Sequence, residues 1–257
     1  MDIRPTSFAL ARRIVSTLLV AGSLAWAGSA PAQAPYWEKT PASGIEDVAS
    51  GPGDKVWVAG ENGTIWFSDD IGKTFTKIEA SGFRRLAVGM GGTLWAVGRN
   101  GTLWSRSGTT WTKTPASGMG DVAATADGTV WLAGLNGTIW YTRDGGKRFT
   151  QVKASGFRRL TVDAEGEVLA VGSNGTLWRY NGRSWTKTAA SGMGDVTTSN
   201  GTTWLAGLNG TIWTMQGQVF TKDPAASGFE SVAVGPGVVW AVGANGTLWK
   251  HTWTVLN

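Results

Sequence analysis

Short apolar runs recur along the whole chain, each closed by Gly, Asn or Asp. From Asp121 to Phe157 the sequence reads DVAATADGTVWLAGLNGTIWYTRDGGKRFTQVKASGF, with apolar segments DVAAT, TVWLAG, TIWYT and FTQV. Runs of this length between turn residues predict antiparallel strands joined by hairpins. The Asn-Gly between the second and third runs predicts a two-residue turn, because both central residues need positive φ. The unit returns six times: Asn-Gly-Thr at Asn62, Asn100, Asn136, Asn174, Asn209 and Asn245 is spaced by 35 to 38 residues. The second strands read VWVAG, LWAVG, VWLAG, VLAVG, TWLAG and VWAVG, apolar on both alternating faces. That pattern suits a sheet sandwiched between two others. Four strands per unit, repeated six times, predict an all-β fold, a six-bladed β-propeller of four-stranded antiparallel blades. A solenoid would carry polar, atypical end repeats, and here the end repeats resemble the middle ones.

Ring closure is read from spacing. Outer strands begin with Phe75, Trp111, Phe149, Trp185 and Phe220, seven or nine residues after the Trp of the third strand. Trp253 follows Trp249 by only four and is expected to extend the third strand of blade six. The N-terminal WEKTPASGI (Trp37 to Ile45) matches WTKTPASGM (Trp111 to Met119). Residues Trp37 to Thr40 are therefore expected to supply the outer strand of the last blade. A second period is visible. SGFRRL marks units two and four, SGMGDV marks three and five, and SGFESV opens the sixth. The ring reads as three copies of a two-blade unit, the third diverged.

Composition narrows the function. The 257 residues include 38 Gly and 16 Trp but no Cys and a single His, His251. Disulfides, thiolate metal sites and a cysteine nucleophile are excluded. Arg4, Arg12 and Arg13, the run IVSTLLVAGSLAWA and the small residues of GSAPAQA have the form of an export signal. The expected division is a signal peptide over 1–32, cleaved near Ala32 or Ala34, and a propeller over 35–257. A membrane anchor is the competing reading of the apolar run, and Arg12-Arg13 leaves twin-arginine export open beside the general route. No transmembrane segment is expected in the mature chain. The net charge of +5 comes without a basic run or helix, which argues against a nucleic-acid partner.

GTLW after VWAVG, with W-T-K and DVA completing the unit, resembles the tectonin-type β-propellers across residues 37–257. SDDIGKTF and TRDGGKRF resemble the Asp-box turn of sialidase-like propellers. That resemblance implies that Asp70 and Asp144 satisfy turn amides while Phe75 and Phe149 pack inward. Tectonin-like proteins include lectins for bacterial lipopolysaccharide or methylated glycans, so the resemblance implies carbohydrate binding. A looser similarity to photosystem-assembly-type propellers implies a protein-binding scaffold instead.

Candidate binding residues follow from the repeat. Residues near the start of the first strands run Asp47, Arg85, Asp121, Arg159, Asp195 and Ser231 around the ring. Alternating charges there form either an inter-blade ion-pair ring or a site for anionic sugars, with a break expected at blade six. Arg84 and Arg158 add planar donors suited to carboxylate or phosphate. Strand alternation puts the Asn-Gly turns and these arginines on one face of the ring, with the Asp-box turns opposite. The residue before each Asn-Gly varies: Glu61, Arg99, Leu135, Ser173, Leu208 and Ala244. Variable side chains on a fixed frame are where binding is tuned. The expected ligand-binding set is Arg84, Arg85, Arg158, Arg159, Glu61, Arg99, Asn62, Asn100, Trp66 and Trp104. For the tryptophans, packing between blades competes with stacking on sugars. The Asn-Gly-Thr triplets match the N-glycosylation acceptor, but one shared turn accounts for all six. No nucleophile elbow, metal-ligand spacing or phosphate loop is present. His251 and the tyrosines Tyr36, Tyr141 and Tyr180 form no catalytic set, so no enzyme, cofactor or metal is expected. The functional expectation is an exported, non-enzymatic, multivalent lectin-like propeller for glycans or lipopolysaccharide, including acidic or modified envelope sugars. The alternative is a scaffold for an envelope protein.

Overall fold

The computed structural model describes residues 37–53 and 55–252. The segment expected to be a signal peptide, Tyr36 and Trp253 lie outside the described residues. Six four-stranded antiparallel sheets follow one another around a central channel. Blade one shows the rule: Ile45–Ser50 lies innermost, followed by Val56–Gly60, Ile65–Ser68 and Thr76–Ile78. The second strands are buried along almost their full length. Blade-on-blade packing covers both faces of each sheet, which is why those runs are apolar at every position. The core is accordingly divided into clusters, each shared by adjacent blades.

The last blade closes as expected. Glu38–Lys39 pairs with Leu248–Thr252, in register Glu38 to Lys250 and Lys39 to Trp249. Trp37 is buried, packs tilted against Phe229 with ring centroids 4.8 Å apart, and donates its indole N–H to Asp223 at 2.9 Å. The first and last described strands are thus joined by backbone pairing and by the buried Trp37. The two-blade period has a packing basis. Phe83 stacks on Trp111 and Phe157 on Trp185 in blades two and four. Phe229 and Trp37 form the equivalent contact in blade six with the rings tilted at 42°, where the surrounding sequence has diverged.

Each Asn-Gly turn docks on the loop of the blade that follows. Gly63 accepts a bond from Phe83 N at 3.1 Å, and Gly101, Gly137, Gly175 and Gly210 repeat the contact. Gly246 accepts from Ile45 N at 2.9 Å and completes the circle. Gly63 has φ +82, and a Cβ there would stand 2.7 Å from Gly82 N. Its glycine is required twice, once for conformation and once for the approach of a neighbouring backbone.

On the opposite face, Asp70 closes the turn between the third and outer strands of blade one. Its carboxylate accepts from Lys73 N at 2.9 Å, Thr74 N at 3.0 Å and Thr74 Oγ1 at 2.6 Å. Asp144 accepts from Lys147 N and Arg148 N, each at 3.0 Å. The Thr74 hydroxyl, and then the turn amides, hold the Asp70 carboxyl far below the usual carboxylate range.

Two stability tests follow. Trp37→Ala should lower the unfolding free energy by about 3–5 kcal/mol, the usual loss for a buried tryptophan. Deletion of residues 35–41 should lower the melting temperature at least as far, and an unchanged urea midpoint in either variant refutes the closure. Gly82 also has positive φ but open space around its Cβ position, so Gly82→Ala should cost only about 1 kcal/mol. Gly63→Ala should cost clearly more, and equal midpoints would deny the interlock.

Candidate functional site

The Asn-Gly-Thr-x-Trp repeat is a hydrogen-bond relay. Asn62 Oδ1 accepts from Thr64 N at 3.1 Å and from Thr64 Oγ1 at 2.7 Å. Thr64 Oγ1 in turn accepts the Trp66 indole N–H at 3.0 Å. Asn100, Thr102 and Trp104 repeat this at 3.1, 2.7 and 3.0 Å. The threonine thus supplies the partner that a half-buried indole needs. The carbonyl oxygens of Asn62 and Asn100, and the indole N–H groups of Trp66 and Trp104, are already committed within the turn.

Every first strand carries a β-bulge near its start, for example between Ile45 and Asp47 and between Phe83 and Arg85. A bulge sets two residues against one and re-aims side chains. Consecutive residues then lie together at the channel: Arg85 stands 4.0 Å from Glu46 and 3.5 Å from Asp47. Strict alternation along a strand hides this, and no signal short of strand register exposes it.

The second bulge position forms a buried ion-pair ring. Arg85 bridges Asp47 and Asp121 at 3.5 and 4.0 Å, and Arg159 bridges Asp121 and Asp195 at 3.8 and 3.5 Å. The aspartates also accept backbone N–H groups of the next blade, from Leu86, Leu160 and Val232 at 2.8 to 3.0 Å. Arg85 and Arg159 are therefore engaged between blades. The break expected at blade six is corrected by a hydroxyl. Ser231 Oγ donates to Asp195 at 2.8 Å and lies 3.4 Å from Asp47. The hydrogen-bonded circle continues there without a cation. Burial, with help from the charges of Asp195 and Asp121, pushes the Asp47 carboxyl up to about 7 against the pull of Arg85 and Arg159. Burial likewise raises Asp121.

At the mouth above this ring, the first bulge position carries Glu46, Arg84, Gly120, Arg158, Gly194 and Glu230 in order. Arg84 reaches across to donate to Gly120 O at 3.2 Å, and Arg158 to Met193 O at 3.0 Å. Burial, and then the neighbouring guanidiniums, lower the pKa of both. Leu135 and Leu208 lie over the bulge glycines Gly120 and Gly194, their Cδ2 atoms 3.4 and 3.6 Å from where a Cβ would stand. Each leucine is solvent-exposed, at 60% and 62%. Blades two to five thus present two copies of an Arg-plus-Leu unit. In the third copy the corresponding residues are Glu230, Glu46 and Glu61, lining a mouth recess of about 200 Å³ with Arg85, Arg159 and Ser231. Arg99 binds the Glu46 carboxylate and the Glu61 carbonyl. The two leucines were not among the expected binding residues. The signal that could have found them is the pairing of Leu-Asn-Gly with SGMGDV in the same units. No cluster of three or more His, Asp or Glu suited to a metal occurs among the described residues.

No protein-family model and no curated protein matches the chain. Solved structures share its architecture. YCF48 bound to D1 peptide is 17% identical, over 89% of this chain and 98% of that one, with a TM-score of 0.62. A virginiamycin B lyase from Staphylococcus aureus is 13% identical over 85% and 99%, with a TM-score of 0.60. A gluconolactonase of Xanthomonas campestris is 10% identical over 83% and 87%, with a TM-score of 0.65. At these identities the likeness is one of fold, and it spans both enzymes and a peptide binder.

The ring makes a pH prediction. A carboxyl whose pKa rises on folding contributes stability below its unfolded value near 3.8, and that contribution is lost as pH rises through about 7. Asp47→Asn should flatten the stability profile between those limits relative to the parent. Parallel curves of melting temperature against pH would refute the assignment.

Proposed function

We propose that the protein is an exported, non-enzymatic binding propeller whose Asn-Gly face docks a polypeptide segment of a partner in the cell envelope. The observation that carries this reading is the pair of exposed leucines beside arginines on one rigid face. Burying a leucine side chain on docking contributes about 1.5–3 kcal/mol. The third copy is acidic instead, with Glu61 and Glu230 beside Glu46, whose carboxylate Arg99 binds. The segment that fits has apolar and acidic residues at blades two to five and a basic residue over the acidic copy. A propeller of the same fold, YCF48, has been solved with a D1 peptide bound, which supports a peptide-sized occupant. The turns at Asp70 and Asp144 are read as Asp-boxes that brace the opposite face.

A glycan-binding reading, in keeping with the tectonin-like repeat, stands second. It is favoured by one specific feature, an aromatic recess in blade four. The expected preference for acidic sugars is weakened by the geometry, because Arg85 and Arg159 are already paired with carboxylates.

Selection of displayed random peptides against the protein tests the first reading. Enriched peptides should carry apolar and acidic residues, and the double variant Leu135→Asp, Leu208→Asp should weaken their binding by at least about tenfold. Peptides that bind the variant equally, or no enrichment at all, would overturn it.

A further inference from the structure

Blade four departs from the relay that the other five blades share. Trp66, Trp104, Trp140, Trp213 and Trp249 each donate the indole N–H to a threonine hydroxyl at 2.7 to 3.0 Å. In blade four Thr176 N still donates to Asn174 Oδ1 at 3.1 Å, but among the described residues the Thr176 hydroxyl makes no bond to Asn174, unlike its counterparts in the other blades. Nor, among the described residues, does the Trp178 indole bond to Thr176. Nearby, the buried Trp185 Nε1 has no hydrogen-bond partner among the described residues. Its counterpart in blade six, Trp37, gives the same proton to Asp223. Unsatisfied polar groups are few in native proteins and mark places where something else completes the bonding.

The two indoles share a recess of about 450 Å³ on the Asn-Gly face, toward the outer strands of the blade. Its aromatic wall is Trp178, Trp185 and Phe157, with Phe157 stacked 4.5 Å from Trp185 and edge-on to Trp178 at 6.3 Å. Its polar rim is Ser155, Ser173 and Asn174, all exposed. Asn174 Oδ1 is held by the turn, which fixes the side chain and leaves its amide hydrogens outside that bond. No charged side chain lines the recess. The corresponding hollow of blade one holds about 290 Å³, includes Lys73, and keeps its Trp66 indole bonded to Thr64.

We infer that blade four holds a single site for a neutral pyranose, the terminal unit of an uncharged glycan. A pyranose offers an apolar face of C–H groups to an aromatic wall and hydroxyl oxygens to N–H donors. Recesses of a few hundred Å³ with an aromatic lining and a few fixed polar groups are the ordinary form of small-ligand sites. The lack of a cationic side chain disfavours acidic sugars, and the rigid Trp–Phe stack spares the site the cost of ordering on binding. The inference rests on the glycan-binding reading above; the site lies apart from the leucines of the docking face and does not depend on the peptide reading.

The test is titration of the ¹⁵N-labelled protein with methyl glycosides of glucose, galactose, mannose and N-acetylglucosamine. The indole N–H signals are followed by two-dimensional NMR. At least one neutral glycoside should shift the Trp178 indole signal saturably and leave Trp66, Trp104, Trp140, Trp213 and Trp249 in place. Ser173→Arg changes an exposed rim residue and places a long side chain over the recess. It should weaken that binding by at least about tenfold, while Leu135→Asp should leave it unchanged. Binding that survives Ser173→Arg in a folded protein overturns the site. So does a Trp178 response to N-acetylphenylalanine amide and to none of the sugars, which would make the recess a pocket for a peptide side chain. No response to any probe, with all indole signals of the folded protein present, overturns it equally.

Discussion

The ring depends on the contact between the Asn-Gly turn of one blade and the Ser-Gly loop of the next. There two backbones meet at a distance that no side chain tolerates, and an N–H…O bond crosses the gap in every blade pair. Away from the channel, a propeller blade offers its neighbours mainly apolar faces, and apolar burial alone is not directional. The glycine contact supplies direction. It sets the height of each blade against the next, and so lets the inner strands converge on a common channel. The asparagine–threonine–tryptophan relay is the support of that contact. It fixes the turn and places the indole against the blade in one stroke.

A channel lined by converging strands brings like positions of the repeat face to face, so their charges must be resolved. Alternation of Asp and Arg fills five of the six positions and makes four ion-pair contacts between neighbours, and the backbone amides of the following blades stabilise the aspartates further. Blade six has no arginine to give, and Ser231 bridges Asp195 and Asp47 instead. Buried charges need both partners and hydrogen bonds. Burial drives the Asp47 carboxyl beside this gap toward its neutral form, and it raises Asp121 too, although arginines flank it on both sides. Divergence of a single repeat thereby turns a symmetric scaffold into an asymmetric one. The mouth above shows the same asymmetry, with two cationic and apolar copies and one acidic copy.

Much of the architecture was legible in the sequence. The number of blades, the four strands in each, the closing strand at Trp37–Thr40 and the assignment of turns to faces all follow from period and turn chemistry. These depend on local rules: a strand run, a turn that needs positive φ, and a fixed distance to the next repeat. The binding residues were less legible. Arg85, Arg159, Asn62, Asn100, Trp66 and Trp104 have the residue types of a sugar site, but each holds a partner inside the ring. Leu135 and Leu208 stand among the variable residues before the Asn-Gly turns but outside the expected binding set; the structure shows them exposed over bulge glycines.

The sequence by itself determined the repeat, the fold and the identity of the residues at each repeated position. Those follow from propensities and spacings that act within one unit. The tertiary structure alone decided which polar groups were already spent. Whether an arginine is paired or a serine completes a ring depends on atoms contributed by the next blade. Such contacts link residues some 36 to 39 apart in the chain, or 184 apart across the ring closure. Only the closed circle brings them within hydrogen-bonding distance.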